Sequence, residues 1–141
     1  MFFKSLMKFA ALALILAFAA GTAVHAADKK GVVIQMSDND PAKWNLALNN
    51  AKNVQQELGK DNVNIEIVAY GPGINMLKFD SEVANRVTAA DKDGIAIRAC
   101  GNTMKAMKLT EKDLNSSAKV VPAGVIEIMT KQEAGWSYIK P

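Results

Sequence analysis

Cys100 is the only cysteine of the 141-residue chain, and it falls where the apolar run Ile95 to Ala99 gives way to Gly101-Asn102-Thr103. A strand that stops at Cys100 and passes into a helix opened by those three residues turns free backbone N–H groups toward the sulfur. That arrangement favours thiolate over thiol, and the thiolate is the nucleophile. Any covalent chemistry of this chain is expected at Cys100.

What can assist that thiol depends on the opening of the chain. Lys4 and Lys8 are followed by an apolar run from Phe9 to Ala20, then small residues, and Val24-His25-Ala26 makes a cleavage site before Ala27. This is the pattern of a secretory signal peptide. The run is about a dozen residues, short of the ~20 that a membrane-spanning helix needs. Residues 1–26 are therefore expected to be removed, leaving 27–141 as a single periplasmic or secreted domain with no stable membrane anchoring. No cysteine lies near the cleavage point to carry a lipid.

The only histidine, His25, leaves with that segment. Without an imidazole or a second thiol, one chain cannot build a Ser-His-Asp triad, a Cys-His pair, a His/Cys zinc site or an internal disulfide. No cofactor is expected. Loss of Lys4 and Lys8 also brings the formal net charge of +3 down by two. The remaining lysines and carboxylates are interspersed, so no basic face is offered to nucleic acid.

The elements that would position Cys100 alternate between strand and helix patterns. This is the signature of an α/β domain: a mostly parallel sheet of about five strands flanked by helices in a flavodoxin-like three-layer arrangement. Strands are predicted at Gly31 to Met36, Val63 to Ala69, Gly94 to Ala99, Lys119 to Val121 and Trp136 to Ile139. Asp40 can cap a helix that starts at Pro41, carries Trp44, Ala47, Leu48, Ala51, Val54 and Leu58 on one face, and stops at Gly59. Further helices are predicted over Ser81 to Ala90, over Asn102 to Leu109, continued or restarted by Thr110-Glu111-Lys112-Asp113, and from Val125 toward Gly135, with a helical turn over Ile74 to Phe79. Asp91-Lys92-Asp93-Gly94 reads as the breaker of the second helix. Gly71-Pro72-Gly73 reads as a tight turn whose glycines also permit close backbone approach to a ligand.

Ligands of open parallel sheets gather at the carboxyl ends of the strands. Four loops are expected there: Ser37 to Asp40, Tyr70 to Gly73, Cys100 to Thr103 and Pro122 to Gly124.

Three stretches carry a resemblance. Ala99-Cys100-Gly101-Asn102-Thr103, with Tyr70-Gly71-Pro72-Gly73 upstream, is the first pair; Val121-Pro122-Ala123-Gly124-Val125 through Gly135-Trp136-Ser137-Tyr138-Ile139-Lys140-Pro141 lies downstream. In this order and spacing the chain resembles the DsrE/DsrF-like (YchN-like) sulfur-relay family over almost all of residues 27–141. The resemblance implies a compact α/β fold, homo- or hetero-oligomers, and a cysteine that carries sulfur as a persulfide. It points to exchange with sulfur donor and acceptor proteins or small sulfur compounds.

Such a carrier needs no histidine. It needs an accessible, acidic thiol and donors to hold the anionic persulfide. Gly101, Asn102 and Thr103 are the expected donors, with Gly71 and Gly73 approaching from the neighbouring loop and Lys105 one helical turn beyond Gly101. Two other readings use the same residues. One is a non-catalytic oligomeric binding or scaffold protein in which Cys100 is structural. The other is Cu(I) binding through Cys100, Met104 and Met107, which share a face if the helix reaches back to Cys100.

Overall fold

The computed structural model describes residues 28–141. The signal-peptide segment expected over residues 1–26 lies outside that range. No helix among the described residues is long and apolar enough to cross a membrane.

The strands are β1 (Lys30–Met36), β2 (Val63–Ala69), β3 (Ala96–Cys100), β4 (Lys119–Val121) and β5 (Ser137–Ile139). The helices are α1 (Pro41–Leu58), α2 (Ala84–Lys92), α3 (Gly101–Ala106) and α4 (Gly124–Glu133). All five strands run parallel in the order β4-β3-β2-β1-β5. Met36 stands beside Ala69, Ala69 beside Ala99, and Cys100 beside Val121. Every strand therefore ends at one edge of the sheet, and the four expected loops all lie along it.

Side-chain alternation divides each strand between two helix layers. Val32, Ile34 and Met36 of β1, Ile65, Ile67 and Ala69 of β2, and Ile97 and Ala99 of β3 face α1 and α2, where they meet Trp44, Ala47, Leu48, Ala51 and Val87. Ile34, Ile67 and Ile97 lie side by side and are fully buried. Each contributes about 1.5–3 kcal/mol of hydrophobic stabilisation. The opposite face is thinner: Val33 and Val68 meet Ile128 of α4, with Tyr70 and Trp136 at the margin. Cys100 belongs to this second face, two residues after Arg98.

α1 forms as its sequence dictates. The Asp40 side chain accepts the Ala42 N–H at 2.9 Å, and Pro41 occupies the first turn, where its missing N–H is not needed. The Trp44 indole N–H donates to the Asp38 carbonyl at 2.8 Å, which ties the helix start to the loop after β1. Gly59 ends it with a φ of 85°. Asp40→Ala is expected to destabilise the fold by about 1 kcal/mol, read as a lower midpoint in urea with an unchanged slope.

Three expectations are corrected. Gly71-Pro72-Gly73 is not an isolated tight turn but the start of a 3₁₀ segment over Gly71–Leu77, which buries Ile74, Met76 and Leu77. The second helix begins three residues later than expected and absorbs Asp91 and Lys92, because Gly94, at φ 87°, is the true break. Val83 stays buried just ahead of it. The helix after Cys100 ends at Ala106, and the chain restarts in a 3₁₀ turn, Glu111–Asp113. The Asp113 carboxylate accepts both the Thr110 N–H and hydroxyl, at 2.7 and 2.8 Å, and so holds that turn apart from α3.

Candidate functional site

Cys100 is both the last residue of β3 and the residue on which α3 starts, so its sulfur lies at the carboxyl edge beside the first turn. It is 5% exposed. Burial pushes the thiol up, but the Thr103 hydroxyl, then the backbone N–H groups of Gly124, Thr103 and Asn102, outweigh it and hold Cys100 below the ordinary cysteine value. The thiolate is thus the form that these surroundings favour.

Thr103 is the strongest of these donors for a reason visible one residue further out. Its hydroxyl oxygen accepts the Gly71 N–H at 2.8 Å, which leaves its own proton to donate to sulfur. Gly71 therefore acts through Thr103 and not on the sulfur itself. Thr103→Val keeps the shape and removes the proton. Its expected result is a higher Cys100 pKa and alkylation about tenfold slower at neutral pH, measured as rate against pH.

The other expected donors divide. The Asn102 N–H is shared with the Pro122 carbonyl at 3.2 Å, so it is the weakest contributor, and the Asn102 side chain is exposed. Gly101 serves packing: a Cβ there would come within 3.1 Å of the Val121 carbonyl oxygen and 3.3 Å of that of Pro122. Gly73 does not reach the sulfur. Its N–H is engaged by the carbonyls of Ser37 and Tyr70, both at 3.1 Å, and its α-carbon is pressed against the end of β1. Lys105 is exposed on α3.

Two further participants come from loops expected at this edge, although neither is among the expected donors. Gly124, the first residue of α4, stands so close that a Cβ there would be 3.2 Å from the Cβ atoms of both Cys100 and Tyr70. Tyr70 is half-buried on the same face; burial foremost, then the charges of Tyr138, Asp38 and Cys100, raise its phenol, against a hydrogen bond to Ser37. From there a polar string runs along the edge. Tyr138 donates to Gln35, and Gln35 donates to the Ser37 hydroxyl at 3.1 Å.

The Cu(I) ligand set is not assembled. Met104 packs into the core on the α1 and α2 side, Met107 is 41% exposed, and Cys100 faces α4. Among the described residues no three His, Cys, Asp or Glu side chains converge as metal ligands.

An all-parallel α/β sandwich with one thiol at a strand-to-helix junction, held by a hydroxyl and backbone donors, defines the class of domain. The chain belongs to the DsrE/DsrF-like family, whose model matches residues 10–141. A solved protein of unknown function from Methanobacterium thermoautotrophicum is 34% identical, with a TM-score of 0.77 over 80% of this chain and 100% of that one. Another of unknown function, from Bacteroides thetaiotaomicron, shares the fold at 15% identity and a TM-score of 0.65, over 79% of this chain and 95% of that one. No curated protein matches the chain. Family membership supports a role of the sulfur-relay kind.

Proposed function

We propose that Cys100 accepts sulfane sulfur as a persulfide and passes it to another thiol. The observation that carries this reading is the donor set on a thiol held below its ordinary value. The Cys100 thiolate attacks the outer sulfur of a donor persulfide, R–S–SH; a new S–S bond forms on Cys100 as the donor's S–S bond breaks and RS⁻ leaves. The product is Cys100–S–SH. Discharge is the same exchange run onto an acceptor thiolate, so no external oxidant or reductant enters. The persulfide is more acidic than the thiol, and its anion can take the same donors.

Residues Lys4 to Ala26 support export, which puts the working protein in the periplasm or outside the cell. Self-association is supported by α4, whose outer face carries Val125, Ile126 and Met129 at 51%, 57% and 49% exposure. The partners fitting this chemistry are sulfur donor and acceptor proteins or small sulfur compounds.

The test is the intact mass of residues 27–141 after exposure to polysulfide and then to a reductant. A reductant-labile gain of sulfur is expected. No gain, together with a thiol that alkylates only after unfolding, would favour the oligomeric scaffold reading, whose support is the 5% exposure of Cys100.

A further inference from the structure

Glu66 is the only charged side chain buried in the core among the described residues, at 1% exposure in the middle of β2. It points away from α1 and α2 and toward α4. Its neighbours along the sheet are Val33 and Ala96, so β1 brings no charge to it. Oε2 meets Arg98 Nε of β3 at 3.2 Å and Lys131 Nζ of α4 at 3.5 Å, while Oε1 is buried without a partner. Glu127, one turn before Lys131, meets the same ammonium group at 3.4 Å, so Lys131 Nζ holds the two carboxylates side by side. Two carboxylates form a hydrogen bond only when one carries a proton.

This cluster is a large part of what fastens α4. The helix buries a single large apolar side chain, Ile128, against Val33 and Val68, and turns Val125, Ile126 and Met129 outward. Two of its three charged residues, Glu127 and Lys131, face the sheet, with Lys131 Nζ 4.6 Å from the Trp136 ring centre, while Glu133 is exposed. The first residue of the same helix, Gly124, covers Cys100. A carrier's sulfur has to be reached by donor and acceptor, and α4 stands in the way.

We propose that α4 is a lid over Cys100, and that one proton shared between Glu66 and Glu127 latches it. The lid takes its purpose from the persulfide reading, but its motion is measurable without sulfur. Burial first, then hydrogen bonding with Glu127, pushes the Glu66 carboxyl above its ordinary 4.5, against the pull of Lys131 and Arg98. A carboxyl raised in the folded state adds stability that is complete below the unfolded value and is lost as pH climbs through the folded one. The latch is therefore closed in acid and loosens as pH rises above the ordinary glutamate range.

Hydrogen exchange of the α4 amides, corrected for intrinsic rates, reads the latch directly in wild type, Glu66→Gln and Cys100→Ala. Protection of α4 in the wild type is expected to fall on the order of tenfold over each pH unit in which Glu66 ionises, with β1 and β2, whose exchange needs global opening, more protected than α4 at every pH. Glu66→Gln, which carries a permanent donor, should hold α4 closed at every pH; Glu127→Gln, less buried, is the second variant and should do the same. Cys100→Ala, which also removes the Gly124 contact with the sulfur, should keep the wild-type fall across the carboxylate range, below the pH at which the thiol ionises. A wild-type profile that is flat, or that rises with pH, overturns the proposal, as does an unchanged slope in both glutamine variants. Sulfur uptake without pH-dependent protection would sink the lid alone, and pH-dependent protection without sulfur uptake would sink the carrier alone.

Discussion

Cys100→Ala protein is expected to bind no reductant-labile sulfur under any loading condition, a complete loss and not a partial one. The chain offers no second thiol to take over, since Cys100 is its only cysteine. A further consequence follows from the donors around the sulfur. Thr103, Gly124 and Asn102 hold the thiol below its ordinary 9.0 in the fold although burial opposes them. An acid whose pKa is depressed on folding adds stability that is complete above the unfolded value and disappears as pH falls through the folded one. The stability difference between wild type and Cys100→Ala should therefore be flat in acid, shift in favour of the wild type as pH rises through the folded value, and level off above 9.0. Urea unfolding of both proteins across that range measures it. A difference independent of pH would mean that the thiol titrates alike in folded and unfolded chains, and the acidified site would be wrong.

Much of the fold could be read from the chain because a parallel sheet and its helices leave local marks. Val63 to Ala69 sets Ile65, Ile67 and Ala69 alternately against Glu66, the period of a strand, and its ends coincide with those of β2. Asp40 and Pro41 carry the start of α1 in their own side-chain chemistry, and Gly59 carries its end. The Cys100 junction was legible for the same reason: an apolar run passing into Gly-Asn-Thr is a strand-to-helix handover written in adjacent residues.

What was not legible depends on which strands are neighbours. Gly124 and Tyr70 reach Cys100 only because β4 and β2 flank β3, and sheet order leaves no mark in a single sequence. The inward charges of α4 were hidden too. The helix predicted from Val125 carries no assignment of faces; in the structure Val125, Ile126 and Met129 point outward, Ile128 is buried, and Glu127 turns toward the sheet. Apolar periodicity cannot say which face meets the sheet when both faces are occupied. The lysine and carboxylates under α4 become intelligible only once Glu66 is seen buried opposite them.

Gly71 and Gly73 look alike in sequence and are expected to behave very differently when changed to alanine. Gly73→Ala should destabilise the protein by about 3 kcal/mol, a large share of the roughly 5–15 kcal/mol that holds a domain of this size together. A Cβ at Gly73 would overlap the Met36 carbonyl oxygen, come within 2.6 Å of its carbonyl carbon and lie 2.9 Å from the Ser37 Cα. All three are main-chain atoms at the end of β1, so no rotamer change relieves the overlap. The 3₁₀ segment would have to move off β1 and pull at Ile74, Met76 and Leu77, each fully buried. Gly71→Ala meets nothing within 4 Å and carries only the strain of its φ of 52°, worth about 1–2 kcal/mol. The two variants also separate in chemistry, since displacing the segment withdraws the Gly71 N–H from Thr103 and frees the Thr103 proton from its orientation toward sulfur. Gly73→Ala should therefore lower the urea midpoint most and raise the Cys100 pKa in whatever fraction remains folded. Equal midpoints for the two variants would show that β1 and the 3₁₀ segment are not locked by this contact, and that Gly73 is placed there for a reason other than close packing.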